Sequence, residues 1–258
     1  MERLQIIYEP RGEAREYALL AANLRVGCEH GCLYCYGPLA FRKKRDAFHA
    51  NARTRQHALE MLDHDAGILR GDDRQILLSF ATDPYSPDEI KTGLTRRAIE
   101  ILIDKGLRFT VLTKGGSRAV RDFDLLAAYD KCSFGTTLVF TSQADADYWE
   151  PHAASVADRI ETLKTAHQRR IQTWVSMEPV IDPAQAIALV KALNPVVNHW
   201  KVGKLNYNKD VSGKVDWPGF KTGITSLLDS LGADYYLRTA SGTFDRNCGF
   251  SVCSGEPH

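Results

Sequence analysis

The 258-residue sequence predicts an α/β protein built on a parallel sheet, and three observations lead there. From residue 70 onward, short apolar runs of strand length alternate with segments of helical periodicity. Each apolar run is followed by a polar segment in which lysine and carboxylate recur, where a plain turn needs only glycine, proline and asparagine. The composition, 44% hydrophobic and 25% charged, is that of an ordinary globular chain able to bury a sizeable core.

The elements follow in order. The segment before Cys28 is counted as the first strand, and Gln75-Ile76-Leu77-Leu78-Ser79-Phe80 is the second. A helix starting near Thr95 places Leu94, Ala98, Ile101 and Leu102 on one face and stops at Gly106. Arg108–Leu112 is a strand, and a helix crosses Ala119 to Tyr129. Ser133–Val139 is the next strand, and Ser155 caps a helix ending near His167. After the strand Ile171–Ser176, Asp182-Pro183 supplies an N-cap with proline at the first helical position, and Asn194-Pro195 ends that helix. His199–Val202 is a sixth strand and Tyr235–Leu237 a short seventh. Right-handed crossovers allow an open doubly wound sheet or one curling toward a barrel, and the pattern leaves both standing. Residues 207–219 read as a long exposed loop. Residues 1–240 read as one domain, and the glycine- and serine-rich residues 241–258 as a polar, flexible tail.

The most informative run is Gly27-Cys28-Glu29-His30-Gly31-Cys32-Leu33-Tyr34-Cys35-Tyr36. Its C-x3-C-x2-C spacing offers three thiolates to a four-iron cluster and leaves the fourth iron open, whereas four-cysteine sites serve electron transfer alone. A zinc set of Cys28, Cys32, Cys35 and His30 is the alternative, although zinc ligands usually come as two separated knuckles. The run resembles the signature of the radical S-adenosylmethionine superfamily, including the aromatic Tyr34 before the last cysteine. Thr82-Asp83-Pro84-Tyr85-x-Pro87 and Leu112-Thr113-Lys114, followed by Arg121-Asp122-x-Asp124-Leu125-Leu126, resemble its spore photoproduct lyase-like branch, over about Tyr8 to Asn206.

That resemblance implies a partial (β/α)6 TIM-type barrel with a C-terminal extension and reactive groups at the C-terminal strand ends. It implies a 4Fe-4S cluster held by Cys28, Cys32 and Cys35, and S-adenosylmethionine cleaved there to a 5′-deoxyadenosyl radical. Thr82 and Asp83 fall in the segment that contacts the cofactor's amino group. Lys114 is placed for its carboxylate or a substrate phosphate, Ser176 and Glu178 for the ribose hydroxyls, and Tyr36 and Tyr85 for the adenine. Each has a plainer reading: Asp83 as a turn starter, Lys114 as a solvent-reaching cation, Glu178 as a loop cap, the tyrosines as core. Asp122 and Asp124 read as helix-start residues, and His30 as packing near the cluster. Cys132 reads as a small buried hydrophobe. Cys248 and Cys253 are candidate hydrogen donors, second-cluster ligands or idle thiols. The branch's cysteine donor after the second strand is replaced here by Ala81, which argues against simple thymine-dimer repair.

The net charge of +1 creates no global attraction for polyanions. Arg42-Lys43-Lys44-Arg45, with Arg53 and Arg55, forms a local basic patch, either a phosphate site or a solvated face. No apolar run approaches the roughly 20 residues of a membrane span, and the N-terminus lacks a signal-peptide layout. A reducing cytoplasm is the expected setting. The leading expectation is a radical enzyme acting on a nucleic-acid base, supplied with electrons by a reductant such as flavodoxin or ferredoxin. The alternatives are the same chemistry on a peptide or small metabolite, and a non-catalytic zinc module.

Overall fold

The computed structural model describes residues 4–11, 14, 15, 17–205, 209–238 and 245–247. The chain opens with three short strands, β1 (Ile7–Tyr8), β2 (Leu20–Ala22) and β3 (Arg25–Val26), followed by helices α1 (Gly37–Ala40) and α2 (Arg45–Ala50) and by β4 (Arg53–Thr54). Next come α3 (Ala58–Ile68), β5 (Ile76–Leu78), α4 (Glu89–Thr92), α5 (Leu94–Asp104), β6 (Phe109–Thr113), α6 (Phe123–Ala127) and β7 (Cys132–Thr137). They are followed by α7 (Gln143–Trp149), α8 (Val156–Gln168), β8 (Gln172–Val180), α9 (Pro183–Leu193) and β9 (His199–Lys204). The last elements are α10 (Lys209–Ser212), α11 (Trp217–Ser230), β10 (Tyr235–Arg238) and β11 (Asp245–Asn247).

One nine-stranded sheet runs β1-β2-β5-β6-β7-β8-β9-β10-β11. The pairs from β2 to β10 are parallel, and β1 and β11 add antiparallel edges. A doubly wound sheet reverses its strand order at a switch point. Here the order never reverses, so the sheet winds one way, as in a TIM-type barrel left open. The expected partial barrel is present, with the crossover helices outside it.

Strand alternation separates two environments. Val111, Phe134, Val175, Trp200 and Val202 face outward and are buried in the two large apolar clusters that also take in helix residues such as Leu102, Leu163, Leu189 and Ile224. The opposite face carries a smaller apolar cluster of Ala18, Ala21, Leu77 and Trp174 beside the hydrogen-bonded hydroxyls of Thr110 and Ser133. The Trp174 indole donates to Thr110 Oγ1 at 2.8 Å. It lies so close to Gly135 on β7 that a Cβ there would strike the ring. Gly135→Ala is therefore expected to destabilise the protein by about 1–3 kcal/mol through overpacking. Chemical denaturation would read this as a lower midpoint at unchanged slope.

Helix starts follow the expected caps. Ser155 accepts from Asp158 N, and Asp182 Oδ1 accepts from Ala184 N at 2.8 Å. Several expectations need correction. Residues 209–212 and 217–219 are helical, so 207–219 is not one loop; Asp216 caps α11, with Pro218 inside its first turn. The helix expected over 119–129 is a 3-10 turn, Gly116–Asp122, running into the short α6. The strand expected to stop at Ser176 continues to Val180 through a register shift. The tail from 241 falls outside the described residues except for β11, which pairs with β10. Among the described residues no helix is long and apolar enough to cross a membrane.

Candidate active site

A cavity of about 520 Å³ lies at the C-terminal ends of the parallel strands. Its lining includes Cys28, Cys32 and Cys35 from the loop after β3, Thr82 and Asp83 after β5, and Lys114 after β6. Thr137, Ser176, Glu178, Lys204 and Arg238 come from β7 to β10. The topology thus gathers at one place residues that stand far apart in the sequence.

The cysteine loop is held by its own turn and by its neighbours. Cys35 N donates to Cys32 O at 3.0 Å, Gly37 N to Cys35 Sγ at 3.3 Å, and the Arg45 guanidinium to Cys32 O. Gly27, at φ +80°, enters the loop where a Cβ would meet Phe48 O at 2.5 Å. All three cysteines are free thiols. Burial pushes Cys32 up to about 12 and raises Cys28 and Cys35 as well, so the unliganded thiols hold their protons at neutral pH. Such thiols become thiolates when a positively charged metal centre displaces the protons. The donor set suits an iron–sulfur cluster.

In the zinc alternative His30 would be the fourth ligand. Among the described residues no three His, Cys, Asp or Glu side chains are grouped to hold one metal ion. His30 is buried and its ring is engaged on both sides, with Nδ1 3.3 Å from Asp83 Oδ2 and Nε2 3.3 Å from Arg118 Nη2. Both ring nitrogens are thus taken up by protein partners.

Asp83 is a hub. Its Oδ1 accepts from Tyr85 N at 2.8 Å and Thr113 Oγ1 at 2.6 Å, and its Oδ2 accepts from Lys114 N at 2.7 Å and from His30. Burial alone would raise its pKa, but His30 and the Lys114 and Thr113 donors overcome this and hold it well below the usual carboxylate range. With four donors the carboxylate is saturated, and it ties the cysteine loop to the ends of β5 and β6. Thr82, beside it, shares a 2.7 Å hydroxyl contact with Ser79.

Lys114 lies 5.4 Å over the Tyr34 ring. Tyr34 lies between two cysteines, and its hydroxyl donates to the buried Glu150, which pairs with the buried Arg159 at 2.6 Å. Leu33 N donates to Trp149 O at 2.8 Å and His152 N to His30 O at 3.2 Å, so the end of α7 and the turn after it back the loop. Tyr36 lines the cavity and donates to Phe80 O at 2.5 Å. Ser176 Oγ is 2.7 Å from Tyr17 OH, and Glu178 pairs with Arg238 at 3.6 Å.

Other candidates lie elsewhere. Tyr85 is fully buried core and donates to Asp122 Oδ2 at 2.8 Å, so Asp122 is a buried acceptor more than a helix-end charge. Asp124 pairs with Arg96 at 2.8 Å. Arg42, Lys43, Lys44 and Arg45 do not line the cavity. Cys132 is buried at the start of β7, as a small hydrophobe would be. Cys248 and Cys253 lie outside the described residues. Sequence reasoning missed Tyr17, Arg118, Glu150, Arg159 and Lys201. Their roles rest on contacts across the sheet, such as Lys201 Nζ donating to Tyr17 O at 2.8 Å, and no local motif marks them.

A mostly parallel, singly wound open barrel with three free thiols at its C-terminal rim is the arrangement expected of a cluster-bearing radical enzyme. Residues 23–185 match the Radical SAM superfamily, and the chain belongs to it. Enzymes of this superfamily use a 4Fe-4S cluster and S-adenosylmethionine. In sequence, the uncharacterized protein ORF301 of Acidianus two-tailed virus is 24% identical over 172 residues. The match covers 63% of this chain and 56% of that protein, so the chain spans little more than half of that relative's length. In structure, a spore photoproduct lyase complexed with a dinucleoside spore photoproduct superposes with a TM-score of 0.69 at 13% identity, covering 91% of this chain and 78% of that one. SuiB of Streptococcus suis, bound to S-adenosylmethionine, gives 0.62 at 12% identity, covering 85% of this chain and 49% of that one. These two likenesses are of fold.

Proposed function

We propose that this protein is a radical S-adenosylmethionine enzyme acting on a base of single-stranded or flipped-out nucleic acid. The observation that carries the first half is the convergence of Cys28, Cys32 and Cys35 with Lys114 on one cavity at the strand ends. In this reading the three cysteines hold the cluster, and Thr82 and the segment around it receive the amino group of S-adenosylmethionine. Asp83, its own lone pairs filled, acts by fixing the Lys114 backbone and His30. The Lys114 ammonium answers a carboxylate, Ser176 and Glu178 answer ribose hydroxyls, and Tyr36 offers an aromatic wall. When bound, the cluster and S-adenosylmethionine supply a 5′-deoxyadenosyl radical that abstracts hydrogen from the substrate. Leu77 and Leu112 give the cavity part of its apolar lining.

The nucleic-acid half is supported by the spore photoproduct lyase-like fold, seen elsewhere with a dinucleoside photoproduct bound. It is also supported by the exposed Arg11 and the half-buried Lys204, two cations on the cavity wall suited to a phosphate. A base stacked in duplex is out of reach of a buried radical, so the substrate strand is single or the base flipped. The test is 5′-deoxyadenosine release by anaerobically reconstituted protein, with and without a single-stranded oligonucleotide. Stimulation by the oligonucleotide, with affinity falling steeply as salt rises, is the expected result. Turnover indifferent to oligonucleotide but raised by a peptide or small metabolite would discard the nucleic-acid substrate and keep the radical chemistry.

A further inference from the structure

We propose that the outer face of the cysteine loop is the docking surface for an acidic electron-carrier protein of the flavodoxin type. The proposal rests on the radical-enzyme reading, since members of the superfamily need an electron donor. Cys32 is 6% exposed while its neighbour Leu33 is 41% exposed, so the loop brings the ligand set up under a solvent-facing apolar residue. Leu39 on α1 and Tyr148 on α7 are exposed still further, at 63% and 67%. The Leu33–Trp149 backbone bond joins the α7 side of this surface to the loop.

Cations follow Leu39 in the chain, while the α7 side beside Tyr148 carries the acids Asp145 and Asp147. Arg42, Lys43 and Lys44 are exposed on the turn between α1 and α2, and Arg45, next in line, is pinned to the carbonyl of Cys32. Arg53 on β4 is exposed and pairs opposite Val26, two residues before Cys28. From residue 37 to residue 56 the chain carries six Lys or Arg against the single acid Asp46. This basic turn lies outside the cavity lining, so it is badly placed to hold the phosphates of a base inserted there. Small apolar patches bordered by charge suit brief complexes, in which complementary fields set the encounter rate. Exposed leucines beside the cations are not what a phosphate backbone asks for. The acidic rim of a carrier protein supplies the matching charge and leaves Leu33 and Leu39 to meet its apolar centre.

The test compares two reductants on the reconstituted holoprotein. The charge reversal Lys43→Glu with Lys44→Glu, and separately Leu39→Ser, are set against the parent. Cluster reduction is followed by absorbance, first with photoreduced flavodoxin and then with dithionite, and flavodoxin affinity is measured by titration at low and high salt. The charge reversal is expected to slow flavodoxin-driven reduction about tenfold or more at low ionic strength, with affinity weakened in parallel and the dithionite rate unchanged. Leu39→Ser is expected to weaken affinity at both salt levels. Unchanged flavodoxin rate and affinity in both variants would overturn the proposal. So would a loss confined to oligonucleotide binding, which would return the patch to nucleic acid. A parent protein that dithionite cannot reduce would sink the radical-enzyme reading, and the affinity titration would still decide the docking surface.

Discussion

Cys32→Ala is expected to abolish 5′-deoxyadenosine formation and to strip the protein of most of its iron, from about four atoms per chain toward none. Cys32 is the most buried of the three cysteines that line the cavity, and its carbonyl and Leu33's amide anchor the loop whatever its side chain. The fold should therefore survive the loss of one sulfur, with a change in melting temperature of about 2–4 °C. Cys132→Ala is the matched control, since Cys132 Sγ donates to the Leu126 carbonyl at 3.3 Å and does not line the cavity. It should cost similar stability and leave iron content and turnover intact. Full iron and acid-labile sulfide in Cys32→Ala would remove that residue from the ligand set.

Asp83→Asn is expected to be the most damaging single-atom exchange outside the cysteines. The two carboxylate oxygens each face a backbone N–H, Tyr85 N on one side and Lys114 N on the other. Whichever way an asparagine turns, its amide nitrogen meets a donor. Opening a buried charged network in this way costs about 3–5 kcal/mol. It also frees His30 from the loop's floor, so cluster loading should fall together with stability. Denaturation midpoint and iron content, measured on the same samples, check both effects. The wild-type carboxylate also sets a pH dependence. Its folded-state pKa is depressed, so its stabilisation is fully present above the unfolded value near pH 4 and is lost as pH falls below it. Asp83→Asn should flatten that acid limb of the stability profile. An unchanged limb would show that Asp83 does not carry it.

Part of the candidate site was open to reading along the chain. The three cysteines lie within one short loop, and Thr82, Asp83 and Lys114 follow strand-length apolar runs, so their common position at the strand ends follows from parallel pairing. Ser176 and Glu178 were also legible as candidates and line the cavity, although β8 carries them within the strand and not beyond it. Their even spacing from Trp174 still directs all three to the same face. The basic run was visible as well, but its placement outside the cavity was not, because a charge run carries no information about which face its turn presents.

By itself, then, the sequence determined the alternation of strands and helices, the thiol set and the polar strand ends. Each of these is encoded in neighbouring residues through periodicity, capping and spacing. Only the tertiary structure decided the winding, because periodicity does not say which strand lies beside which, and the order β2-β5-β6-β7-β8-β9-β10 had to be seen to exclude a doubly wound sheet. It alone joined Tyr34 to Glu150 across 116 residues and saturated Asp83 with donors from three separate segments. Contacts of that kind depend on how the sheet brings distant loops together, and each partner is locally an ordinary polar residue.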